Sequence, residues 1–299
     1  MRRSAIPLAW LFLSLSLGAS GSLLGCASPP PKSALNYTEE SKKAYDQALD
    51  EFNAHNWIES QALFREVKRK YAYSKYARMS ELRIADADFE QDKFSEAVRG
   101  YRQFIHDHRA DTDDVSYARA RIAESQYREI GDSFLLPSTD ERDQAAIQDA
   151  YRELRGYLAE YPDAKESKRA KELLADVTAR LVRHELYVAK FYLNRDNYDA
   201  AVGRIQYALR NYSVAGRTSP PPGARKVPQG EGQDPQAEGA VVDSGLEPEA
   251  LLLLGEVFLQ MKKYGEARDA FVTIVRDYGA SSLVIQAKSY LAYLKERGV

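Results

Sequence analysis

The sequence predicts an all-α solenoid of about five stacked helical hairpins, and three observations predict it. An element with fixed internal spacing recurs along the chain: an aromatic residue, two residues, a small residue, three residues, a large apolar or aromatic residue. A second small residue stands nine positions before each opening aromatic. Glycine and proline gather in a few places and leave long tracts of leucine, alanine, tyrosine and charged residues, a composition that favours helix.

The recurring element reads Trp57-x2-Ser60-x3-Phe64, then Phe94-x2-Ala97-x3-Tyr101, then Tyr198-x2-Ala201-x3-Ile205, then Tyr264-x2-Ala267-x3-Phe271. A weaker copy is Ile147-x2-Ala150-x3-Leu154. Spacing of i, i+3, i+7 puts its three residues on one face of a helix. The preceding small residues are Ala48, Ala85, Ala189 and Gly255, on the helix before. This is the tetratricopeptide (TPR) pattern. Two helices cross closely at small residues, and the large residue fills the gap to the next hairpin. Each hairpin leaves an apolar face open, so it must stack on its neighbours. Asn56, Asp92, Asn197 and Lys263 stand at the tight turn inside each hairpin, where Asn and Asp side chains bond nearby backbone groups. Tyr71-Ala72-Tyr73-Ser74, Tyr161-Pro162, Tyr212-Ser213 and Tyr278-Gly279 mark the ends of repeats.

Repeats one to four occupy 37–215, and 249–299 complete the fifth. Two stretches interrupt the period. Gly131 to Asp143 falls inside the third repeat, with Pro137 and the charged run Asp140-Glu141-Arg142-Asp143. Residues 216–248 hold six prolines, six glycines and no aromatic residue, and read as a disordered loop inside the fifth repeat, with helix resuming at Glu249.

The N-terminus has its own logic. Met1-Arg2-Arg3 is positive, Ile6 to Leu17 is mostly apolar, and small residues follow up to Cys26, the one cysteine of the chain. That order reads as a secretory signal over residues 1–25, with an apolar stretch too short to span a bilayer. The ending Leu23-Leu24-Gly25-Cys26 resembles the lipobox of bacterial lipoproteins. The resemblance implies cleavage before Cys26 and acylation of its thiol and new amino group. Position 27 is Ala and not the aspartate that retains a lipoprotein in the inner membrane in enteric-type sorting, so the resemblance favours the outer membrane. A tether over 26–36 with Pro29-Pro30-Pro31 then holds the body within ~30 Å of the surface.

The 274 residues that remain carry no transmembrane helix, and a formal net charge of −2 over the whole chain does not suggest a nucleic-acid binder. No nucleophile motif or phosphate-binding glycine loop is present, and the many carboxylates sit on solvated helix faces, so no catalytic residue is nominated. His55, His106, His108 and His184 read as surface or helix-end residues, and neither a metal nor a cofactor is expected. Binding by shape is the expectation instead. Tyr45, Leu49 and Phe52 fall at i, i+4, i+7 on the first helix, with Leu82 and Phe89 at matching places on the third, flanked by Arg83 and Asp86. They line an apolar groove for a peptide or pack between helices, since the two kinds of position are adjacent. In the fourth repeat Ala201, Ile205 and Ala208 pack inward, which turns Arg204, Tyr207 and Arg210 outward as interface candidates.

The whole mature chain resembles the BamD family, TPR lipoproteins of the β-barrel assembly machinery. Tyr45-x2-Ala48, Trp57 and Tyr71-Ala72-Tyr73-Ser74-Lys75-Tyr76 carry this in the first repeat, with Ala72 where the family has proline. Phe104-Ile105-His106-Asp107-His108 carries it in the second, with Arg109 in place of proline. Phe134-Leu135-Leu136 with Asp140-Glu141-Arg142-Asp143 is similar to the family's third-repeat insertion, and Tyr151 to Ser167 follows it. Glu185-Leu186-Tyr187-Val188-Ala189-Lys190-Phe191-Tyr192 and Tyr198 to Tyr212 carry it in the fourth. The loop at 216–248 departs from the family.

The resemblance implies a non-enzymatic assembly factor in the outer membrane, lipid-anchored, with its body in the periplasm. Implied partners are a BamA-like protein with POTRA domains, the other assembly-machine lipoproteins, and unfolded outer-membrane proteins received by the first repeats. Arg204 matches an arginine in the segment that docks the BamA-like partner. The alternative is another periplasmic TPR lipoprotein scaffold, such as a secretin pilotin or a Tol-Pal or peptidoglycan coordinator.

Overall fold

The computed structural model describes residues 34–110, 112–131, 141, 143–213, 221–223 and 242–298. Among them are eleven helices: α1 (Ala34–Asn53), α2 (Trp57–Lys70), α3 (Lys75–Glu90), α4 (Phe94–Asp107), α5 (Thr112–Glu129), α6 (Ala145–Glu160), α7 (Ser167–Leu193), α8 (Tyr198–Tyr212), α9 (Glu247–Gln260), α10 (Tyr264–Asp277) and α11 (Val284–Glu296). Each helix packs on the ones before and after it, the signature of a TPR-like solenoid. The odd-numbered helices also meet one another, α1 on α3, α5 on α7 and α7 on α9, which places them on the inner side of the stack.

The repeating element does what its spacing requires. Ser60, Ala97, Ala150, Ala201 and Ala267 are fully buried, as are Phe64, Tyr101, Leu154, Ile205 and Phe271 one turn on. The small residue of the first helix is a steric necessity. A Cβ on Gly255 would stand 2.5 Å from Phe271 Cε1 on the facing helix. In the second hairpin the close approach is made from the other side, where a Cβ on Gly100 of α4 would meet Ala85 Cβ at 2.9 Å.

The turns inside four hairpins are alike. His55, Asp92, Asp196 and Lys262 adopt φ of 61°, 57°, 56° and 59°, each two residues before its opening aromatic. Each donates its N–H three residues back (His55 to Phe52, Asp92 to Phe89, Asp196 to Leu193, Lys262 to Leu259), and the next N–H reaches five back, a left-handed helix ending. In three of the four the sequence expectation named the residue after this one, because Asn56 and Asn197 look like turn residues and serve as N-caps or neighbours of the turn. Gly131, at φ 57°, takes the same conformation at the end of α5, where the third-repeat insertion begins.

Three boundaries differ from expectation. Helix α1 begins at Ala34, inside the stretch assigned to the tether. The fifth hairpin, α9 with α10, is whole and α11 follows it as a terminal helix, so the 216–248 stretch separates two repeats and does not interrupt one. Parts of that stretch are also held in place. Pro221 is buried, Gln206 Nε2 donates to the Pro222 carbonyl at 2.9 Å, and Gly223 at φ 70° lies so close to Phe258 that a Cβ would stand 2.5 Å from the ring. Val242 and Leu246 pack against the core, and helix resumes at Glu247 with Pro248 in its first turn, where a missing N–H costs nothing. Proline and glycine cannot build a core of their own, but here α8 and α9 supply one. The remainder of the stretch, Cys26 with the signal segment, and most of the insertion lie outside the described residues.

Candidate functional site

Two polar constellations stand out, one buried on the inner side and one open beside α8. The inner one centres on Asp86 of α3, only 1% exposed. Its Oδ1 accepts the hydroxyls of Tyr101 (2.5 Å) and Tyr117 (2.9 Å), and its Oδ2 accepts Arg83 Nη1 at 2.5 Å. Arg121 of α5 approaches Oδ1 at 3.8 Å and bonds Glu90 at 3.3 Å and Glu124 at 3.0 Å. Its guanidinium lies 3.7 Å from the Phe89 ring centroid. Burial, then the neighbouring Asp86 charge, pushes Tyr101 and Tyr117 well above the ordinary tyrosine range. Burial opposes the charge on Arg83, but Asp86 and the phenols of Tyr117 and Tyr45 outweigh it and hold the guanidinium protonated.

This network is one link of a series along the inner helices. Tyr127 of α5 donates to Asp176 of α7 at 2.9 Å, Lys190 of α7 meets Glu249 of α9 at 3.7 Å, and Tyr290 of α11 donates to Glu256 of α9 at 2.9 Å. Each joins successive first helices. Sequence reasoning named Arg83 and Asp86 only as flanks and missed Tyr101, Tyr117 and Arg121. The available signal was Arg83-x2-Asp86 facing Tyr117-x3-Arg121, pairs at i, i+3 and i, i+4 on adjacent inner helices.

The five residues expected to line an apolar groove are placed otherwise. Tyr45, Leu82 and Phe89 are buried. The Tyr45 ring packs on Phe64 (5.5 Å) and Tyr76 (5.5 Å), and Phe89 on Phe94 (5.4 Å). Leu49 and Phe52 are half-buried against the same cluster, Phe52 edge-on to Trp57 at 5.0 Å. The i, i+4, i+7 face of these first helices is the face their neighbours cover. What the first repeats leave in reach of solvent on this side is the polar edge of Arg83, Tyr117 and Arg121.

The open constellation is a cleft of 490 Å³ lined by Asp143, Gln144 and Gln148 at the start of α6, Leu181, His184 and Glu185 of α7, and Arg204, Tyr207 and Tyr212 of α8. Ala201, Ile205 and Ala208 are buried as expected, and this register turns Arg204 and Tyr207 into the cleft. Arg204 is 45% exposed and gives Nη1 to Glu185 Oε2 at 3.3 Å. Glu185 is buried, so it fixes the guanidinium while the other donors of Arg204 stay available. Tyr207 is 40% exposed and stands edge-on to Tyr212 (5.9 Å), which stands edge-on to Tyr151 (5.5 Å). Burial, then Tyr207 and Glu185, raises Tyr212 well above the ordinary tyrosine value. Arg210 is half-buried and does not line the cleft. Among the described residues no group of three or more His, Cys, Asp or Glu side chains is placed to hold a metal ion, and no helix is long and apolar enough to cross a membrane.

Comparison with known proteins adds to this geometry. The family described as YfiO, outer membrane lipoprotein, matches residues 38–219, the first four hairpins together with the start of the long connection. The outer membrane protein assembly factor BamD of Caulobacter vibrioides is 27% identical over 200 residues, 67% of this chain and 63% of that protein. BamD of Neisseria meningitidis serogroup A is 27% identical over 213 residues, 68% of this chain and 77% of that protein. BamD of Vibrio cholerae is 23% identical over 208 residues, 67% and 80% respectively. The match therefore spans less than two thirds of the Caulobacter protein and more of the other two. The crystal structure of a thermophilic TPR protein of Thermus thermophilus matches 84% of this chain and 99% of its own at 12% identity and a TM-score of 0.28, too distant to carry any part of the fold argument.

Proposed function

This chain belongs to the YfiO family of outer membrane lipoproteins, and from that premise we propose that it is an outer-membrane protein assembly factor, a non-enzymatic scaffold whose body stands in the periplasm. The relatives named as assembly factors match about two thirds of the chain, and the family match over 38–219 contains the cleft. Acyl chains on Cys26 hold the protein to the outer membrane.

The observation that carries the partner reading is the cleft. Arg204 offers spare donors on a guanidinium already fixed by Glu185, and Tyr207 adds an exposed aromatic face beside it. Arginine and tyrosine in a concave setting are the usual anchors of a protein interface. The partner is a BamA-like protein, whose POTRA region brings a carboxylate to Arg204. Arg210 belongs to the rim of this surface. Unfolded outer-membrane proteins and the other assembly-machine lipoproteins complete the set of partners. Substrate segments meet the first repeats at the edge formed by Leu49, Phe52, Arg83, Tyr117 and Arg121, since Tyr45, Leu82 and Phe89 are already covered.

A mild-detergent pull-down of the C-terminally tagged protein from outer membranes, read by mass spectrometry, tests the reading. It predicts recovery of a β-barrel protein with POTRA domains in near-equal amount. Recovery of a secretin, a Pal-like protein or a peptidoglycan enzyme in its place would mean that the repeats serve another envelope scaffold.

A further inference from the structure

The hairpins return again and again to the end of the solenoid from which α1 starts, and the first return differs from the later ones in charge. Between α2 and α3 it carries Lys68, Arg69, Lys70 and Lys75, all exposed, with Tyr73 at its tip 98% exposed. Between α4 and α5 the corresponding stretch mixes His106, Asp107, His108 and Arg109 with Asp113 and Asp114, and α10 closes on Arg276 and Asp277.

Of the four cations of the first return, one is paired inside the fold. Lys68 turns to Glu81 at 3.2 Å. Lys70 and Lys75 instead lie over the rings of Tyr71 (5.3 Å) and Tyr76 (5.1 Å). Among the described residues none of Arg69, Lys70 and Lys75 has a carboxylate at ion-pair distance. The neighbouring first turns of α1 carry two glutamates, Glu39 and Glu40, and two lysines, Lys42 and Lys43, of which Lys42 pairs with Asp46. A fully exposed tyrosine gains nothing from packing, so Tyr73 has no role in the core.

Position supplies the partner. The Tyr37 ring, near the start of α1, stands edge-on to Tyr71 with centroids 5.4 Å apart. The basic return therefore sits beside the point where the chain enters the fold at Ala34. Cys26 lies eight residues before Ala34, within ~28 Å of contour at ~3.5 Å per residue.

We infer that Arg69, Lys70, Tyr73 and Lys75 form a membrane-contact surface that docks on anionic phospholipid headgroups beside the lipid anchor. Basic side chains are attracted to an anionic leaflet, and an amphipathic tyrosine ring settles at headgroup level. The contact adds a second signal to the acyl anchor and fixes the angle at which the solenoid stands on the membrane. Its place beside the membrane rests on the lipid anchoring proposed above, but its chemistry does not.

The test separates the two. The mature chain from residue 26 carrying Cys26→Ser has no acyl group, and its partition onto phosphatidylcholine vesicles with and without phosphatidylglycerol is measured by flotation at low ionic strength. Binding is expected only with phosphatidylglycerol and is expected to disappear in high salt. A triple variant Arg69→Ser, Lys70→Ser, Lys75→Ser is expected to bind about a hundredfold more weakly, from the pull of an anionic surface on three cations. Tyr73→Ser is expected to bind several-fold more weakly. Absence of binding to phosphatidylglycerol vesicles, or equal binding by the triple variant, overturns the proposal. The mass of Cys26 in protein extracted from membranes decides the acyl anchor separately, so failure of one leaves the other standing.

Discussion

The inner face of the second and third hairpins and the cleft beside α8 use the same pair of groups, an arginine and a glutamate or aspartate, at opposite levels of solvent access. Around Asp86 the donors are Arg83 and two tyrosines, with Arg121 3.8 Å away, and the carboxylate is enclosed by them. Around Arg204 one carboxylate is answered by a guanidinium that keeps several donors and nearly half its surface. The first arrangement fixes how α3, α4 and α5 sit on one another. The second fixes only the arginine and leaves it ready for a partner. Saturation, more than residue type, separates the two arrangements.

The largest expected effect comes from breaking the saturated network. Asp86→Ala takes the carboxylate partner from Arg83 and from the phenols of the buried Tyr101 and half-buried Tyr117, and should cost about 3–5 kcal/mol. Because solenoid repeats unfold by neighbours, the loss should appear as early hydrogen exchange in α3–α5, with α9–α11 protected as before. Uniform loosening along the chain would show that the network is not local.

Alkaline pH attacks the same network without mutation. Tyr45, Tyr101 and Tyr117 all titrate above their ordinary value of about 10 in the fold, burial being the main cause. The unfolded chain therefore loses these protons first. Their contribution to stability is whole below about pH 10 and is lost as pH rises through that value toward the folded ones. Melting temperature should be flat from pH 8 to 9 and fall beyond pH 10, with α3–α5 first; a flat profile to pH 11 contradicts the assignment.

A change at the cleft should be far milder. Glu185→Gln keeps the shape and a weaker bond to Arg204. Since Arg204 is half in water, the stability loss should stay within about 1 kcal/mol in thermal unfolding. A loss as large as that of Asp86→Ala would erase the contrast between the two sites.

The smallest effect lies at a turn outside both. Lys262 holds φ 59° with a full side chain, while Asp and His, which tolerate that region better, serve in the equivalent turns. Lys262→Gly relieves strain and adds unfolded-state entropy, for a net gain of at most ~1 kcal/mol in denaturant midpoint. Partner binding should not change.

The hairpins were legible because a helix face repeats at i, i+3, i+7 whatever surrounds it, and Ser60, Ala97, Ala201 and Ala267 are buried where that rule puts them. The role of Arg204 and Tyr207 as outward residues followed from the same register. The apolar groove did not survive as drawn, because apolar residues on a first helix look alike whether a ligand or the next helix covers them; Tyr45 and Phe89 are covered by helices. The Asp86 network was out of reach for a different reason. Its partners lie 15 and 31 residues away in sequence, and only the crossing of α3, α4 and α5 brings them together. Glu185 as the partner of Arg204, 19 residues earlier, was hidden in the same way.

The central claim, that the unsaturated Arg204 cleft is where the assembly partner docks, is tested most directly by titrating the POTRA region of the BamA-like protein against the lipoprotein and its Arg204→Ala and Tyr207→Ala variants. Each variant should bind about tenfold or more weakly, as truncated interface anchors do, with helicity and melting temperature unchanged. Binding by both variants equal to that of the unaltered protein would contradict the claim.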